Sequence, residues 1–160
     1  MIFQFGEYKI DVDVEKTRKF YSGAELISKG CQCDGCLNFE RAVDRLPQKT
    51  RDFFSSLGVD MKRICECWVY CAKDKNTLSY GGLCHICGTL LGGESAWKMK
   101  NSSMAYWDDE ATCSLSSDFA VSFDDRIDML EEDFPLPVIQ LDFTADIPWV
   151  LEKGNEYIDE

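Results

Sequence analysis

The chain has 160 residues and a formal net charge of −12, and most of this charge lies in its last sixty residues. Residues 101–160 hold sixteen acidic and two basic residues, whereas residues 1–100 have a net charge of +2. Direct binding to nucleic-acid phosphates needs clustered Lys and Arg, so the charge argues against that class of function and is compatible with a basic protein partner.

The composition predicts one cytoplasmic domain spanning residues 1–160. Apolar residues make up 45% of the chain, which is enough for a packed core at this length. No segment reaches the roughly 20 apolar residues that cross a bilayer. The N-terminus lacks a basic start followed by an apolar run, so no signal peptide is expected. Because cytoplasmic thiols stay reduced, the nine cysteines are not expected to form disulfides.

The first third of the chain predicts a strand pair and three helices. Residues 2–12 alternate apolar and polar side chains, which is typical of a strand or hairpin. Asp13 and Asp34 carry the side-chain oxygen that caps a helix start. Pro47 suits a first helical turn, and Gly58 suits a helix end. The helices are expected at residues 14–21, 35–46 and 47–57.

From Ile64 onward the apolar period changes to two, which predicts strands. Residues 64–91 are predicted to form a β-hairpin. Residues 96–117 are polar and receive no assignment, while the acidic segment 124–133 is predicted to be partly helical. Further strands are expected at 118–123 and 137–149. Helices followed by strands favour an α+β fold, with N-terminal helices packed on a mainly antiparallel sheet.

Cys31, Cys33 and Cys36 form a C-x-C-x-x-C motif at a predicted helix start. The positive end of a helix dipole favours thiolate, which is both the metal ligand and the nucleophile. The expected metal is zinc, which takes four tetrahedral ligands, so a fourth ligand must come from elsewhere. His85 or Cys87 in the segment CHICG is the predicted donor. Cysteines three apart on a regular strand face opposite sides, so this segment can supply only one of its cysteines.

Other interpretations of the cysteines stay open. Those at positions 31, 33 and 36 are structural thiols without a metal in one alternative and a redox site in another. Those on the strands are expected to be small core residues, because free Cys is among the most buried residue types. They are Cys65, Cys67, Cys71, Cys84 and Cys87. A thioredoxin-like motif would need a preceding parallel strand, which is missing. A cysteine enzyme would have to use His85, the only histidine, and no orienting third group can be identified.

Acidic clusters in the last sixty residues form the predicted partner-binding surface. Their spacing matches no EF-hand, so it predicts no calcium site. Carboxylates on a rigid scaffold can bind a basic groove, including that of a nucleic-acid-binding protein, and the alternative is a solvated acidic face. The residues are Asp108, Asp109, Glu110, Asp124, Asp125, Asp128, Glu131, Glu132 and Asp133.

Three segments carry a resemblance to known sequences. They are CQCDGCLNFERAV at 31–43, YGGLCHICG at 80–88 and FPLPVIQLDFTADIPWVLEK at 134–153. With these segments the chain resembles a family of short, uncharacterised bacterial proteins from Gram-positive organisms and their mobile elements. The resemblance implies a bacterial cytoplasmic setting and a phage or mobile-element origin, and it brings no activity and no functional residues.

Three functions follow from the sequence, in this order. The first is a non-enzymatic acidic interaction protein, such as an inhibitor or counter-defence factor, that binds a basic protein surface. The second is a zinc-stabilised binding domain built on Cys31, Cys33 and Cys36. The third is a cysteine-based enzyme. They require different features, namely exposed acids, clustered thiols and a thiol with a lowered pKa.

Overall fold

The computed structural model describes residues 1–159 as an α+β fold with a mainly antiparallel sheet, which confirms the predicted fold class. The helices are α1 (Val14–Gly23), α2 (Ile27–Gly30), α3 (Asp34–Ala42) and α4 (Gln48–Ser56). The strands are β1 (Ile2–Phe5), β2 (Tyr8–Val12), β3 (Glu66–Asp74), β4 (Thr77–Gly92), β5 (Trp97–Asn101), β6 (Met104–Trp107), β7 (Cys113–Ser116), β8 (Phe119–Asp124) and β9 (Val138–Pro148). Within residues 1–159, no helix has the length and apolar character needed to cross a membrane.

Strand β4 is the centre of the large sheet. The strand order is β1-β2-β4-β9-β8-β7, and β3 also pairs with β4. β9 lies antiparallel along one edge of β4, from Thr77 opposite Pro148 to Cys87 opposite Val138. The other edge of β4 pairs first with β3 and then, from Gly88 onward, with β2. Between these two pairings, at residues 84–87, side chains of α1 bond to the free edge of β4, and β4 carries a run of buried residues at 80–88.

Aromatic side chains join the helical layer to the sheet. Phe39 of α3 stacks on Phe143 of β9, with ring centroids 5.7 Å apart. Phe54 of α4 packs edge-on against Phe119 of β8 at 5.6 Å, and Phe119 stacks on Phe143 at 5.2 Å. Such pairs contribute about 1 kcal/mol each beyond the area that they bury. These contacts confirm that the N-terminal helices pack on the sheet.

Side chains that accept backbone hydrogen bonds determine where the helices start. Asp13 caps α1 as predicted. The prediction for α3 is corrected by one residue, because Cys33 is its cap and accepts a hydrogen bond from the amide of Cys36, while Asp34 is the first helical residue. α3 also ends earlier than predicted. Leu46 precedes a proline and is extended, which disfavours a continuing helix.

The second half of the chain confirms three predicted elements, contains strands in the segment that had no assignment, and corrects one prediction. The hairpin at 64–91 and the strands at 118–123 and 137–149 are present as β3–β4, β8 and β9. The unassigned segment 96–117 contains the hairpin β5–β6 and strand β7. Residues 125–137 contain no helix, although part of this segment was expected to be helical. Its backbone bonds to β9 instead, since the amide of Asp128 donates to Gln140 Oε1 at 2.7 Å.

Candidate metal centre

The local backbone brings the three thiols of the C-x-C-x-x-C motif together at the start of α3. α2 ends at Gly30, and the amide of Cys31 donates to the carbonyl of Ile27 at 3.1 Å. The backbone of Cys31 and Cys33 is extended, so Cys33 takes the cap position and Cys36 lies in the first helical turn. Two helix ends and the short connection between them therefore position all three side chains.

The distances between these thiols fit a metal ion. Cys31 Sγ lies 3.3 Å from Cys33 Sγ, and the amide of Cys36 lies 3.4 Å from Cys33 Sγ. All three sulfurs lie within 4.8 Å of one another. Four thiolates at roughly 2.3 Å from a tetrahedral zinc place their sulfurs about 3.8 Å apart. Cys31, Cys33 and Cys36 are thus close enough together to hold a metal ion.

The three thiols differ in pKa because their burial and their neighbouring groups differ. Hydrogen bonds from Cys33 lower the pKa of the exposed Cys31. Burial raises the pKa of Cys33 to about 11. The neighbouring Cys67 thiol, together with burial, raises the pKa of Cys36. The helix dipole favours thiolates at this helix start, yet only Cys31 of the three has a lowered pKa. Desolvation and neighbouring thiols raise the pKa values of Cys33 and Cys36, and a bound cation would offset the charge of their thiolates.

A fourth thiol, Cys67 of β3, adjoins the cluster. It lines the same cleft as Cys31 and Cys36, its thiol is the largest influence on the pKa of Cys36, and the residue is 3% exposed. β3 can approach α3 at Gly35 because glycine has no side chain. A Cβ atom at this position would lie only 2.8 Å from Val69 Cγ2. The structure therefore corrects the prediction of a fourth ligand from the segment CHICG of β4. Cys87 lies near α1 instead, and its amide donates to Thr17 Oγ1 at 3.1 Å.

The prediction that the strand cysteines are core residues holds for three of the five. Cys67, Cys84 and Cys87 are buried, Cys65 is half-buried, and Cys71 is exposed. The alternation predicts Cys67 and Cys71 on one face. A shift in the β3–β4 register between Val69 and Cys71 breaks this alternation and leaves Cys71 on the surface.

His85, the other predicted zinc ligand, lies in a separate polar group. Its buried ring places Nδ1 2.9 Å from Glu131 Oε2 and Nε2 2.9 Å from the backbone oxygen of Asp128. Ligand atoms of Cys65, His85 and Glu131 lie within 4.8 Å of one another. Sequence reasoning did not predict this group because its members are far apart in the chain, and the isolated histidine was its only signal.

The predicted partner-binding acids divide between surface and interior. Asp125, Asp128, Glu132 and Asp133 are exposed in the irregular segment 125–137, as are Asp109 and Glu110 in a 3-10 turn. Asp124 and Asp108 are half-buried, and Asp108 caps that turn by accepting from the amide of Glu110. The side chain of Glu131 points to His85 and is only 26% exposed. Glu131 is therefore not part of a freely exposed acidic face.

Comparison with known proteins finds no relative of this chain. No family model, curated protein or solved structure matches the chain. The resemblance described from the three sequence segments stays a prediction, and the chemistry of the site is argued from its own residues.

Proposed function

We propose that this chain is a zinc-stabilised binding domain in which Cys31, Cys33, Cys36 and Cys67 hold the metal. The observation that carries the proposal is the mutual approach of the sulfurs of Cys31, Cys33 and Cys36 to within 4.8 Å. Cys67 lines the cleft beside them and is the nearest candidate for a fourth ligand. Four thiolates make a closed structural zinc site, which leaves no position for a substrate. The zinc then acts on stability, and the surface of the domain does the binding.

Such a zinc joins the helical layer to the sheet. Cys31 follows α2, Cys36 belongs to α3, and Cys67 belongs to β3. Zinc binds ionised thiols, and only the folded chain holds these thiols together, so the binding free energy adds to the folding free energy. The raised pKa values of Cys33 and Cys36 fit this role, because without a cation these two thiols stay protonated at neutral pH.

The first test is the zinc content of tag-free protein purified under reducing conditions. Cys33→Ser is expected to lower it by about one zinc per chain, because it removes a central ligand of the four. Cys71→Ser is the matched control, since Cys71 is exposed on β3 and outside the cluster. Equal zinc content in wild type and Cys33→Ser would overturn the proposal, and so would an equal loss in Cys71→Ser.

A second candidate function, binding to a basic protein surface, has its own supporting observation. Segment 125–137 presents exposed apolar side chains among its exposed acids. The apolar residues are Met129 at 61%, Leu130 at 41% and Leu136 at 69% exposure. Apolar side chains surrounded by charge are typical of interaction surfaces, and the acids select a partner that carries both basic and apolar groups.

Binding through this segment should depend steeply on salt. A cationic amphipathic Lys/Leu peptide serves as the probe, and its affinity is expected to fall about tenfold from low to physiological ionic strength. Charge reversal at Asp125, Glu132 and Asp133 should abolish most of that affinity. Reversal at Glu7, exposed in the β1–β2 turn, is the control. Salt-independent binding, or equal binding by both variants, would contradict this function.

The hypothesis of a cysteine enzyme gains no support from His85. The thiol beside it belongs to Cys65, whose pKa is raised to about 12 by burial and by the charge of Glu131. A nucleophilic cysteine needs a lowered pKa. The lowered pKa of Cys31 is the one feature that fits this hypothesis, which otherwise stays a prediction.

A further inference from the structure

A second set of ligand atoms lines the cleft that the Cys31 cluster borders. This cleft has a volume of about 560 Å³, and Cys31, Cys36, Cys65, Cys67 and Glu131 are among its lining residues. Cys65 and Cys67 are two residues apart at the start of β3. The thiol of Cys67 influences that of Cys36, whereas Cys65 lies with Glu131 and His85. Both groups of ligands therefore have members in one cleft, and they share no residue.

The hydrogen bonds of His85 determine which ring nitrogen carries a proton. Nε2 lies 2.9 Å from the backbone oxygen of Asp128, which can only accept, so Nε2 must be the donor. In the neutral ring, Nδ1 then has a lone pair that faces the carboxylate oxygen of Glu131 at 2.9 Å. Two lone pairs repel at this distance, so either a proton or a metal cation must lie between the two atoms.

Cys65 adds a third donor to this pair. Its Sγ lies 3.1 Å from the backbone oxygen of Met129 and within 4.8 Å of the ligand atoms of His85 and Glu131. Met129 has a φ of 54°, a left-handed conformation that is unfavourable for a non-glycine residue. This conformation occurs where the successive carbonyls of Asp128 and Met129 contact His85 and Cys65. The surrounding loop thus holds the group in place.

We propose that Cys65 Sγ, His85 Nδ1 and Glu131 Oε2 bind a second zinc ion, whose fourth coordination position opens to the cleft. Sulfur, imidazole nitrogen and carboxylate oxygen together suit zinc better than a hard cation. A histidine ligand usually donates its other ring N–H to a carbonyl or carboxylate, as Nε2 does here. Three protein ligands leave room for water or a small ligand, unlike the closed thiolate site. This site does not depend on the proposed function.

The proton balance of this site follows from its hydrogen bonds. Zinc binding breaks the S–H bond of Cys65 and forms a Zn–S bond, and it replaces the proton between Glu131 and His85. About two protons are released to solvent for each zinc bound. Burial and the nearby acids raise the pKa of Cys65 to about 12, so its thiol ionises at neutral pH only when the metal compensates the charge.

Cadmium NMR of the wild-type protein tests the site without any substitution. After exchange of zinc for cadmium, two resonances are expected, one from a thiolate-rich site and one from a mixed sulfur, nitrogen and oxygen site. With nitrogen-labelled histidine, the second resonance should couple to the ring of His85. This assignment is unambiguous in tag-free protein, because His85 is the only histidine.

The number and type of cadmium resonances show which of the two proposed sites binds metal. A single thiolate-rich resonance would overturn the second site and leave the proposed function intact. A single resonance coupled to His85 would support the second site and overturn the proposed function. The absence of any cadmium resonance would overturn both. Zinc content gives an independent check, since Cys65→Ser and Glu131→Gln should each lose about one zinc while Cys71→Ser loses none. If a proton alone joins Glu131 to His85, these variants keep the zinc content of the wild type.

Discussion

Removing zinc with a chelator should lower the free energy of unfolding of this protein by about 4 kcal/mol or more. A ligand that binds only the folded state stabilises it by about 4 kcal/mol when its free concentration is a thousand times its Kd. Cys31 and Cys36 lie on the helical side of the site and Cys67 lies on the sheet, so metal loss releases a link between the two layers. For a chain of this size, the loss corresponds to a fall in Tm of roughly 10 °C.

Urea unfolding with and without chelator measures this effect. The Cys33→Ser variant should lose most of its response to chelator, because it no longer binds the thiolate zinc, while Cys71→Ser should respond as the wild type does. Fluorescence of the four Trp residues and far-UV circular dichroism should give the same transition if unfolding is two-state. Unchanged stability of the wild type in chelator would show that the cluster holds no metal of structural importance.

The thiol cluster shows how far local sequence can predict a site. The spacing of Cys31, Cys33 and Cys36 and the helix after them are local properties, and the structure keeps all three together. The fourth thiol is not local. Cys67 reaches the cluster only because α3 packs on β3 through Gly35, a tertiary contact that no pattern within either element encodes.

The acidic segment 125–137 shows the opposite case, in which long-range bonds override local preference. Its sequence favours a partial helix, but the amide of Asp128 bonds to Gln140 and the carboxylate of Glu131 bonds to His85. Both partners lie on central strands of the sheet. The charge of Glu131 predicts an exposed side chain, because a sequence pattern carries no information on which strands lie next to it. The group of Cys65, His85 and Glu131 cannot be predicted from the sequence for the same reason.

Asp142 of β9 is a buried carboxyl, which a count of acidic residues in the sequence does not distinguish from the exposed ones. It is 3% exposed, and its Oδ1 accepts a hydrogen bond from Gln140 Nε2 at 2.9 Å. Its Oδ2 finds no hydrogen-bond partner within residues 1–159. Burial, and then the charges of Asp124 and Asp128, raise the pKa of Asp142 from 3.8 to about 6. Near neutral pH the protein therefore folds around a carboxylate that it solvates poorly.

Replacing Asp142 by Asn should stabilise the protein above pH 6 by about 3 kcal/mol. Folding raises the pKa of Asp142 above its unfolded value of 3.8, so the protonated carboxyl contributes fully to stability below that pH. This contribution is lost as the pH rises to about 6. Asp142→Asn removes this titration and keeps an oxygen to accept from Gln140, so its advantage should shrink steadily towards pH 4. Urea unfolding of the wild type and of Asp142→Asn across this pH range measures the difference between their free energies of unfolding. Ionisable groups that both proteins share cancel in this difference.

Asp125→Asn is the control for this pH dependence. Asp125 is exposed, so its replacement should leave the stability difference nearly constant across the same pH range. A pH-independent difference for Asp142→Asn, or destabilisation at neutral pH, would mean that the carboxylate of Asp142 is stabilised in the folded protein. A cation or a water molecule bound at Oδ2 would be the physical source to seek, and repeating the titration in chelator would separate the two, because only the cation would be removed.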